Sequence, residues 1–390
     1  MRPLIVHANR RQQRIVFISD RPRVREAKIG SALLKAGWEV VLLYKFEPNY
    51  DLPGYFTTHH KYTDFNQSLR LAKKYRAALY HVFTDANDHN TAYNYCRYKP
   101  RRIVVDFIDT IVGILSDEYL EQEGWRQSLI PLEKYIIEHT DGFCCRDLQI
   151  QVTAREGRYQ RPKKAILFPE YCWDEELSQP VKKLSSIDGA PHVVLIGHFG
   201  IEKAGAIDTG YLDIIKALTA QGIHFHIYPH QYYYDVYYGD KFDGIFEDYI
   251  NLERENPFFN IHKPVRVEEI TKEISQYDFG IHVVRAHLFG EDLRDYQITA
   301  RKVGGSSRLA DYIEAGLPVI SQSGQYFFQF LFRFGIMIDL TTDNLHNIRS
   351  ELLAMMNPET EARIAEIREY LSGDNQVGRL IKFYESMLND

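Results

Sequence analysis

Cysteine and long apolar runs are scarce in this sequence, and each absence excludes a class of protein. The four cysteines among 390 residues form neither a CxxC pair nor a zinc-ligand spacing, so we expect reduced, partly buried thiols. No window approaches the roughly 18 apolar residues of a membrane span, and the N-terminal segment lacks the apolar run of a secretory signal. The sequence therefore predicts a cytoplasmic protein.

Positive charge is in deficit as well. A formal net charge of -6 argues against a general nucleic-acid binder, so any site for an anion would be local. No Asp-x-Asp cluster follows a predicted strand, so the sequence predicts no metal ion, and it predicts no cofactor. The basic run RRQQR at 10–14 either touches a membrane-linked acceptor, as a peripheral contact, or is a solvated surface.

What the sequence does contain is a regular alternation of strand-like and helix-like segments. RIVFISD at 14–20 and EVVLLYKF at 39–46 are typical of buried strands, and the segment 25–38 between them has helical spacing. The order continues to KAILFPE at 164–170 and restarts with HVVLIG at 192–197. This alternation predicts an α/β fold with two doubly wound, Rossmann-like domains facing across a cleft.

The predicted domain boundaries follow from length and composition. At 390 residues the chain exceeds the size at which one core usually stops growing. We expect a first domain over 1–175, a polar linker over 176–191 and a second domain over 192–358. The two helical segments within 359–390 are candidates to pack back on the first domain.

Polar residues that follow predicted strands are candidate ligand contacts, because open parallel sheets bind ligands beyond the carboxyl ends of their strands. After the strand at 192–197, Gly200 would let the backbone approach a phosphate and Lys203 would add a charge; an ordinary turn is the alternative. This glycine-rich turn matches neither GxGxxG nor a P-loop, which disfavours a dinucleotide dehydrogenase or an NTPase. Arg285 follows a later strand, and His81 and Asp109 follow strands of the first domain.

The segment RKVGGSSRLAD at 301–311 is the most specific pattern in the chain. Its loop would present backbone N–H groups and hydroxyls to an anion ahead of a predicted helix, with Arg308 or Arg301 compensating the charge. The loop residues are Gly304, Gly305, Ser306 and Ser307. Asp311, one turn further on, suits a diol such as the two ribose hydroxyls of a nucleotide. A capped helix with surface charges is the structural alternative.

SSRLADYIEAGLPVI at 306–320 resembles the nucleotide-sugar-binding segment of GT-B glycosyltransferases of the retaining, glycogen-synthase-like superfamily (family 4, group 1). That segment is commonly a Lys or Arg, then an acidic residue, then AxGxPVI. The resemblance implies a hexosyltransferase-type enzyme that moves a sugar from a nucleotide-sugar donor to an acceptor hydroxyl with retention. It further implies a role in polysaccharide or glycoconjugate synthesis, with a carbohydrate or lipid-linked acceptor.

Carried over to this chain, the resemblance implies that Asp311 holds the ribose and that the loop from Gly304 to Ser307 holds the diphosphate. Arg308 stands where many relatives have Lys, and we expect it to act on the leaving diphosphate. Relatives often carry a His or Asp near the reacting sugar, for which the candidates are His81, Asp85, Asp106 and Asp109, with Asp109 the best placed. Val303 departs from the pattern, since many relatives have a second acidic residue eight positions before the ribose carboxylate.

Two alternatives stay open at this point. A nucleotide-sugar 2-epimerase of the same fold would also bind a nucleotide diphosphate, although it would need more acid and base groups around the sugar. A catalytically inactive, glycosyltransferase-like binding protein is the other alternative, and Val303 motivates it.

Overall fold

The computed structural model describes residues 13–48, 50–86, 88–122, 124–172, 181–197, 199, 210–230, 234, 246–289, 305–324 and 326–389. The chain divides into two compact units: unit 1 is Met1–Pro169 with Gly373–Asp390, and unit 2 is Glu170–Ser372. Within these described ranges, no helix has both the length and the apolar character needed to cross a membrane.

Unit 1 is built on a seven-stranded sheet in the order β3-β2-β1-β4-β5-β6-β7, with every neighbouring pair parallel. The strands are β1 Arg14–Ser19, β2 Glu39–Tyr44, β3 Thr58–Lys61, β4 Leu79–Thr84, β5 Arg102–Phe107, β6 Gly142–Cys145 and β7 Ala165–Leu167. The central strands read as near-continuous apolar runs because helices cover both faces of the sheet. Val16, Val41 and Val105, for example, are completely buried.

The helices of unit 1 follow its strands in the alternation that a parallel sheet requires. They are α1 Val24–Lys35, α2 Phe65–Lys74, α3 Asn90–Tyr98, α4 Ile111–Ile114, α5 Asp117–Gln122, α6 Gly124–Gln127, α7 Ile130–His139 and α8 Gln149–Arg155.

Unit 2 has a six-stranded parallel sheet in the order β10-β9-β8-β11-β12-β13. Its strands are β8 His192–Gly197, β9 His224–Pro229, β10 Phe259–Ile261, β11 Phe279–Ile281, β12 Val319–Ser321 and β13 Met337–Asp339. Its helices are α9 Ser185–Asp188, α10 Leu212–Thr219, α11 Glu247–Glu255, α12 Val267–Ile274, α13 Arg285–Phe289, α14 Ser307–Glu314, α15 Tyr326–Arg333, α16 Arg349–Met355 and α17 Pro358–Tyr370. A last helix, α18 Gly373–Leu388, belongs to unit 1.

Each sheet reverses its direction of winding beside its first strand. In unit 1 the reversal lies between β1 and β4, and in unit 2 it lies between β8 and β11. At such a topological switch point the connections diverge to opposite faces and leave a crevice at the carboxyl ends of the strands. The predicted α/β class with two doubly wound domains is confirmed.

The C-terminal residues divide between the two units. Helix α17 lies in unit 2, whereas α18 packs on unit 1, where the Tyr384 hydroxyl lies 2.6 Å from His81 Nδ1 and Lys164 Nζ donates to Ser386 O at 3.0 Å. The segment 359–390, which the sequence predicts as one C-terminal piece, therefore contributes one helix to each unit. Part of the predicted linker also packs on unit 2, since Lys183 Nζ donates to Ser275 O at 2.9 Å.

Candidate nucleotide site

The candidate site in unit 2 is organised by helix α14, which has one apolar and one polar side. Leu309, Ala310 and Ile313 are buried, whereas Ser307 is exposed and Asp311 is partly exposed. The apolar side packs toward the sheet, and the helix runs antiparallel to the strands as helices of parallel α/β units do. Its N-terminus therefore lies at the carboxyl edge of the sheet, where ligands bind.

Tyr312 fixes α14 against the two strands that flank the switch point. Its hydroxyl donates to Ile281 O in β11 at 3.0 Å and accepts the Ile196 N–H of β8 at 3.2 Å. A Cβ added at Gly280 would lie 2.2 Å from Tyr312 Cγ, so only glycine lets the ring approach β11 this closely. The helix is thus anchored on both sides of the crevice.

Arg308 lies over the carboxyl end of β8. A Cβ built at Gly197 would meet Arg308 Nε at 3.4 Å and Nη2 at 3.6 Å, and Gly197 has a φ of +85°. A side chain at this position would be strained by the left-handed backbone, and its Cβ would be in van der Waals contact with the guanidinium. The structure therefore brings together the switch-point glycine and the predicted cation, which are far apart in the sequence.

The start of α14 is suited to an anion. Ser306 holds the N-cap position with an extended backbone, φ −125° and ψ 129°, and its side chain makes no capping hydrogen bond. The first turn contains no acidic residue. The first N–H groups of a helix lack intrahelical partners and carry a partial positive charge, so they favour a negative group. Ser306 and Gly305 are partly exposed, and Ser307 is exposed.

Arg285, the other predicted cation in the described part of unit 2, has partners of its own. Its Nη2 lies 3.0 Å from Asp213 Oδ2, and its guanidinium carbon lies 5.1 Å from the ring centre of Phe289. The Asp213 carboxylate is about half exposed, which makes this ion pair a surface interaction of modest strength. Gly200, Lys203, Val303 and Gly304 lie outside the described residues, so their predicted roles stay predictions.

Three side chains that no sequence pattern indicated form hydrogen bonds with the backbone at or just after the ends of strands in unit 2. Gln322 accepts the Val284 N–H at 3.0 Å and donates to Val284 O at 3.1 Å. The Tyr211 hydroxyl donates to Val283 O at 2.8 Å, and Tyr312 bridges β8 and β11 as described above. Buried polar side chains usually find such partners. Their partners are distant in sequence, so no local signal pointed to them.

Asp109 in unit 1 is better placed for a ligand contact than His81. It follows β5, its side chain is 32% exposed, and its Oδ1 accepts from Arg146 Nη2 at 2.8 Å and from Gln149 Nε2 at 3.1 Å. Gln149 also donates to Asp147 at 3.0 Å, and its amide oxygen accepts the Thr110 N–H at 3.3 Å. These contacts fix the Asp109 carboxylate at the carboxyl edge of the sheet.

His81 lies in the core of unit 1 instead. Its side chain is fully buried between Tyr384 and Asp106, with its Nε2 at 3.5 Å from Asp106 Oδ2. Burial lowers the pKa of the imidazole, while the Asp106 carboxylate opposes that effect. Asp106 is itself paired with the buried Arg25 at 2.8 Å. The structure therefore places His81 in a polar network of the interior and not at the exposed sheet edge.

Comparisons with known proteins show the fold. No protein-family model matches the chain, and no curated protein matches it by sequence. A glycosyltransferase from Rickettsia africae ESF-5 superposes with a TM-score of 0.61 at 8% identity, covering 98% of this chain and 100% of that one. Anabaena Alr3699/HepE, in complex with UDP, gives 0.63 at 9% identity, covering 96% and 100%. The fold is that of GT-B glycosyltransferases.

The same fold also occurs in a further group of solved structures. A Listeria monocytogenes protein, provisionally named a UDP-N-acetylglucosamine 2-epimerase, gives a TM-score of 0.55 at 10% identity and covers 95% of both chains. The GT-B fold by itself is thus compatible with two of the chemistries that the sequence left open.

Proposed function

We propose that this chain is a glycosyltransferase that transfers a sugar from a nucleoside-diphosphate sugar to an acceptor hydroxyl. One observation carries the proposal: Arg308 lies against Gly197 at the switch point of unit 2, one helical turn before Asp311. A cation and a carboxylate one turn apart on α14 support a ligand site at this edge of the sheet, because open parallel sheets bind ligands beyond the carboxyl ends of their strands. The UDP complex of a protein with the same fold supports the class of ligand.

The spacing of the two charged groups matches the order of groups in a nucleotide. Residues three apart on a helix are surface neighbours, about 5–6 Å between their Cβ atoms. A diphosphate at the N-terminus of α14 would contact the N–H groups of its first turn and the Arg308 guanidinium. The adjoining ribose would then reach Asp311, whose carboxylate accepts hydrogen bonds from both hydroxyls of a diol.

Arg308 has the main catalytic role in the proposed reaction. Breaking a glycosyl–phosphate bond leaves negative charge on the diphosphate, so a catalyst must stabilise that charge more strongly in the transition state than in the intact donor. A fixed guanidinium and the N–H groups of a helix start supply such stabilisation without reorganisation. Tyr312 and Gly280 hold α14 in place and so act as positioning residues.

Unit 1 is proposed to supply the acceptor side. Asp109 is the candidate to orient or deprotonate an acceptor hydroxyl, because it is partly exposed and held by Arg146 and Gln149. His81 is left out of this proposal since its side chain is fully buried. Retention of configuration, a hexose as the transferred sugar, and polysaccharide or glycoconjugate synthesis with a carbohydrate or lipid-linked acceptor belong to the proposal through the family resemblance.

A nucleotide-sugar 2-epimerase is the second candidate, favoured by the fold of the Listeria monocytogenes protein. An epimerase would act on the donor alone and would invert one carbon of the sugar without an acceptor. It would use the same diphosphate and ribose contacts in unit 2, so the nucleotide site alone does not separate the two activities.

A donor panel separates the candidates. The purified chain is incubated with UDP-, GDP-, ADP- and dTDP-sugars, with and without a mixture of saccharide and lipid-linked acceptors, and the nucleotides and sugars are resolved by chromatography. Acceptor-dependent release of nucleoside diphosphate supports transfer. An isomerised donor without an acceptor supports the epimerase. Binding of a nucleotide without turnover supports an inactive binding protein, and absence of binding to every nucleotide refutes the proposed site.

A further inference from the structure

An exposed aromatic ring with two cations beside it lies at the carboxyl edge of the sheet in unit 1. Lys45 and Phe46 directly follow β2, and the Phe46 side chain is 46% exposed. The Lys45 ammonium nitrogen and the Arg21 guanidinium carbon each lie 5.3 Å from the centre of the Phe46 ring. We call these three residues the Phe46 cluster. A cation is attracted to the face of an aromatic ring, so Phe46 keeps two like charges together at the surface.

The backbone fixes the position of the Phe46 cluster. Arg21 follows β1, which is the neighbour of β2 in the sheet. The Asp20 carbonyl oxygen accepts the Lys45 N–H at 3.2 Å and the Phe46 N–H at 2.8 Å, so hydrogen bonding between the two chain segments continues past the strands. β1 also borders the switch point of unit 1. The cluster therefore lies beside the crevice in which open parallel sheets bind ligands.

Within the described part of the chain, neither cation of the Phe46 cluster forms a salt bridge. The neighbouring charged groups are paired with each other: Arg23 forms a salt bridge with Asp85, and Lys61 Nζ lies 2.8 Å from Glu47 Oε1. Two cations that are close together repel each other, and this repulsion is relieved when an anion binds to both. The cluster is therefore suited to a negatively charged ligand.

The carboxylate of Asp20 is near enough to interact with the Lys45 charge, but other donors occupy it. It accepts hydrogen bonds from the hydroxyls of Tyr62 and Thr91, the second at 2.9 Å. Burial raises the pKa of Asp20, and the positive charge of Lys45 opposes that effect. The ammonium group of Lys45 makes no hydrogen bond to this carboxylate, so its donors can bind a ligand.

We propose that Arg21 and Lys45 bind an anionic group of the acceptor, namely a phosphate or a carboxylate carried by a saccharide. This inference rests on the proposed transferase activity and names the class of its acceptor. Guanidinium and ammonium groups form strong, charge-assisted hydrogen bonds with phosphate and carboxylate oxygens. The apolar Phe46 ring beside them offers a surface for the uncharged part of the saccharide.

One acceptor can reach both the Phe46 cluster and Asp109. Arg21 follows β1 and Asp109 follows β5, and only β4 lies between these two strands in the sheet. Neighbouring strands are about 4.8 Å apart, so the ends of β1 and β5 are about 10 Å apart. The anionic group is therefore expected on a sugar unit next to the one whose hydroxyl reacts.

The first test measures binding without turnover, so it needs no donor. The full chain is titrated at low ionic strength with glucose 6-phosphate, glucuronate and glucose, and binding is followed by ligand-observed NMR. We expect at least one anionic sugar to bind about tenfold or more tightly than glucose, and the tighter of the two identifies the anion as phosphate or carboxylate. Absence of saturable binding by both anionic sugars, or equal affinity for glucose, overturns the proposal.

Matched variants locate the bound anion. Arg21→Gln and Lys45→Gln change side chains that are at least partly exposed, so Tm should be unchanged, and each should weaken binding of the anionic sugar about tenfold. Lys73→Gln is the control, because Lys73 also places its ammonium group beside an exposed ring, 4.9 Å from the centre of Tyr98. Wild-type affinity in both cluster variants, or an equal loss in the control, overturns the proposal. Lower adsorption of the cluster variants to phosphatidylglycerol vesicles, with sugar binding intact, would assign the cations to a membrane surface instead.

The second test asks whether the anion belongs to the acceptor. Once the donor panel has identified a donor, pairs of acceptors that differ only in a phosphate or carboxylate are compared. Arg21→Gln should raise KM for the anionic acceptor about tenfold, with kcat and the affinity for UDP unchanged, and should leave KM for the neutral acceptor unchanged. An equal rise in KM for both acceptors contradicts the proposal. Anion binding without transfer from any donor would refute the transferase activity and the acceptor role but confirm the anion site, so the two failures are distinguishable.

Discussion

Replacing Tyr312 with Phe measures what one hydroxyl contributes to the placement of helix α14. In the native protein this hydroxyl donates to Ile281 O at 3.0 Å and accepts the Ile196 N–H at 3.2 Å. The Tyr312 side chain is fully buried. Phenylalanine keeps the ring and its packing. It removes the shared partner of two backbone groups on the strands that flank the switch point.

The expected loss of stability follows from the two backbone groups that lose their hydrogen-bond partner. A buried polar group that loses its partner costs about 1–3 kcal/mol. Because both groups share one hydroxyl and the strands can relax slightly, we expect a total of about 2–3 kcal/mol. In a unit of this size 1 kcal/mol corresponds to roughly 2–4 °C, so the Tm of unit 2 should fall by about 5–10 °C.

Scanning calorimetry is the appropriate assay, since two units can unfold in separate transitions. Tyr370→Phe is the control, because that side chain is 55% exposed and its hydroxyl can exchange its partners for water. Nucleotide affinity should fall with Tyr312→Phe and not with the control, as α14 carries Arg308 and Asp311. A Tm for Tyr312→Phe equal to that of Tyr370→Phe would refute the anchoring role of the hydroxyl.

Three further predictions concern single side chains. Asp311→Asn should weaken nucleotide binding about tenfold or more while Tm is unchanged, as calorimetric titration would show; unchanged affinity contradicts the ribose contact. Arg308→Gln should lower kcat more than donor affinity, whereas equal losses would indicate simple binding. Burial raises the pKa of Glu26 from 4.5 to about 7, against the hydrogen bond that Ser19 donates. The folded state therefore keeps the Glu26 carboxyl protonated up to a higher pH than the unfolded state does. The free energy of unfolding consequently falls as the pH rises from about 4.5 to 7. Glu26→Gln should remove this fall in stability with pH and stabilise unit 1 at pH 8 by up to about 3 kcal/mol. Urea unfolding across this pH range measures the effect. If stability still falls with pH in the variant, other groups cause the fall.

Three of the four edge strands in the described sheets were not predicted by the sequence, whereas the fourth, Ala165–Leu167, was. Thr58–Lys61, Phe259–Ile261 and Met337–Asp339 are only three or four residues long, and the first alternates between partly buried and exposed. The central strands are covered on both faces and show long apolar runs, which periodicity detects well. An edge strand is covered less and is often polar, so its pattern resembles that of a loop.

The burial of the candidate site residue His81 was also not predictable from local sequence patterns. Its place after a run of apolar residues is compatible with a sheet edge, and the sequence therefore made it a catalytic candidate. It lies within β4, and its ring packs under α18, a helix that is about 300 positions away along the chain. A contact over that separation leaves no local signal, so burial of the ring was not predictable.

The sequence by itself determined the alternation of the central strands with helices, the amphipathic helix at Ser307–Glu314, and the candidate polar residues at its start. These features depend on neighbours within a few positions. Only the tertiary structure decided that Arg308 lies against Gly197, that Tyr312 joins β8 to β11, and that Arg21 lies beside Phe46. Each of these pairs depends on which strands are neighbours and in what register. That choice is made by the packing of the whole sheet, and no short segment encodes it.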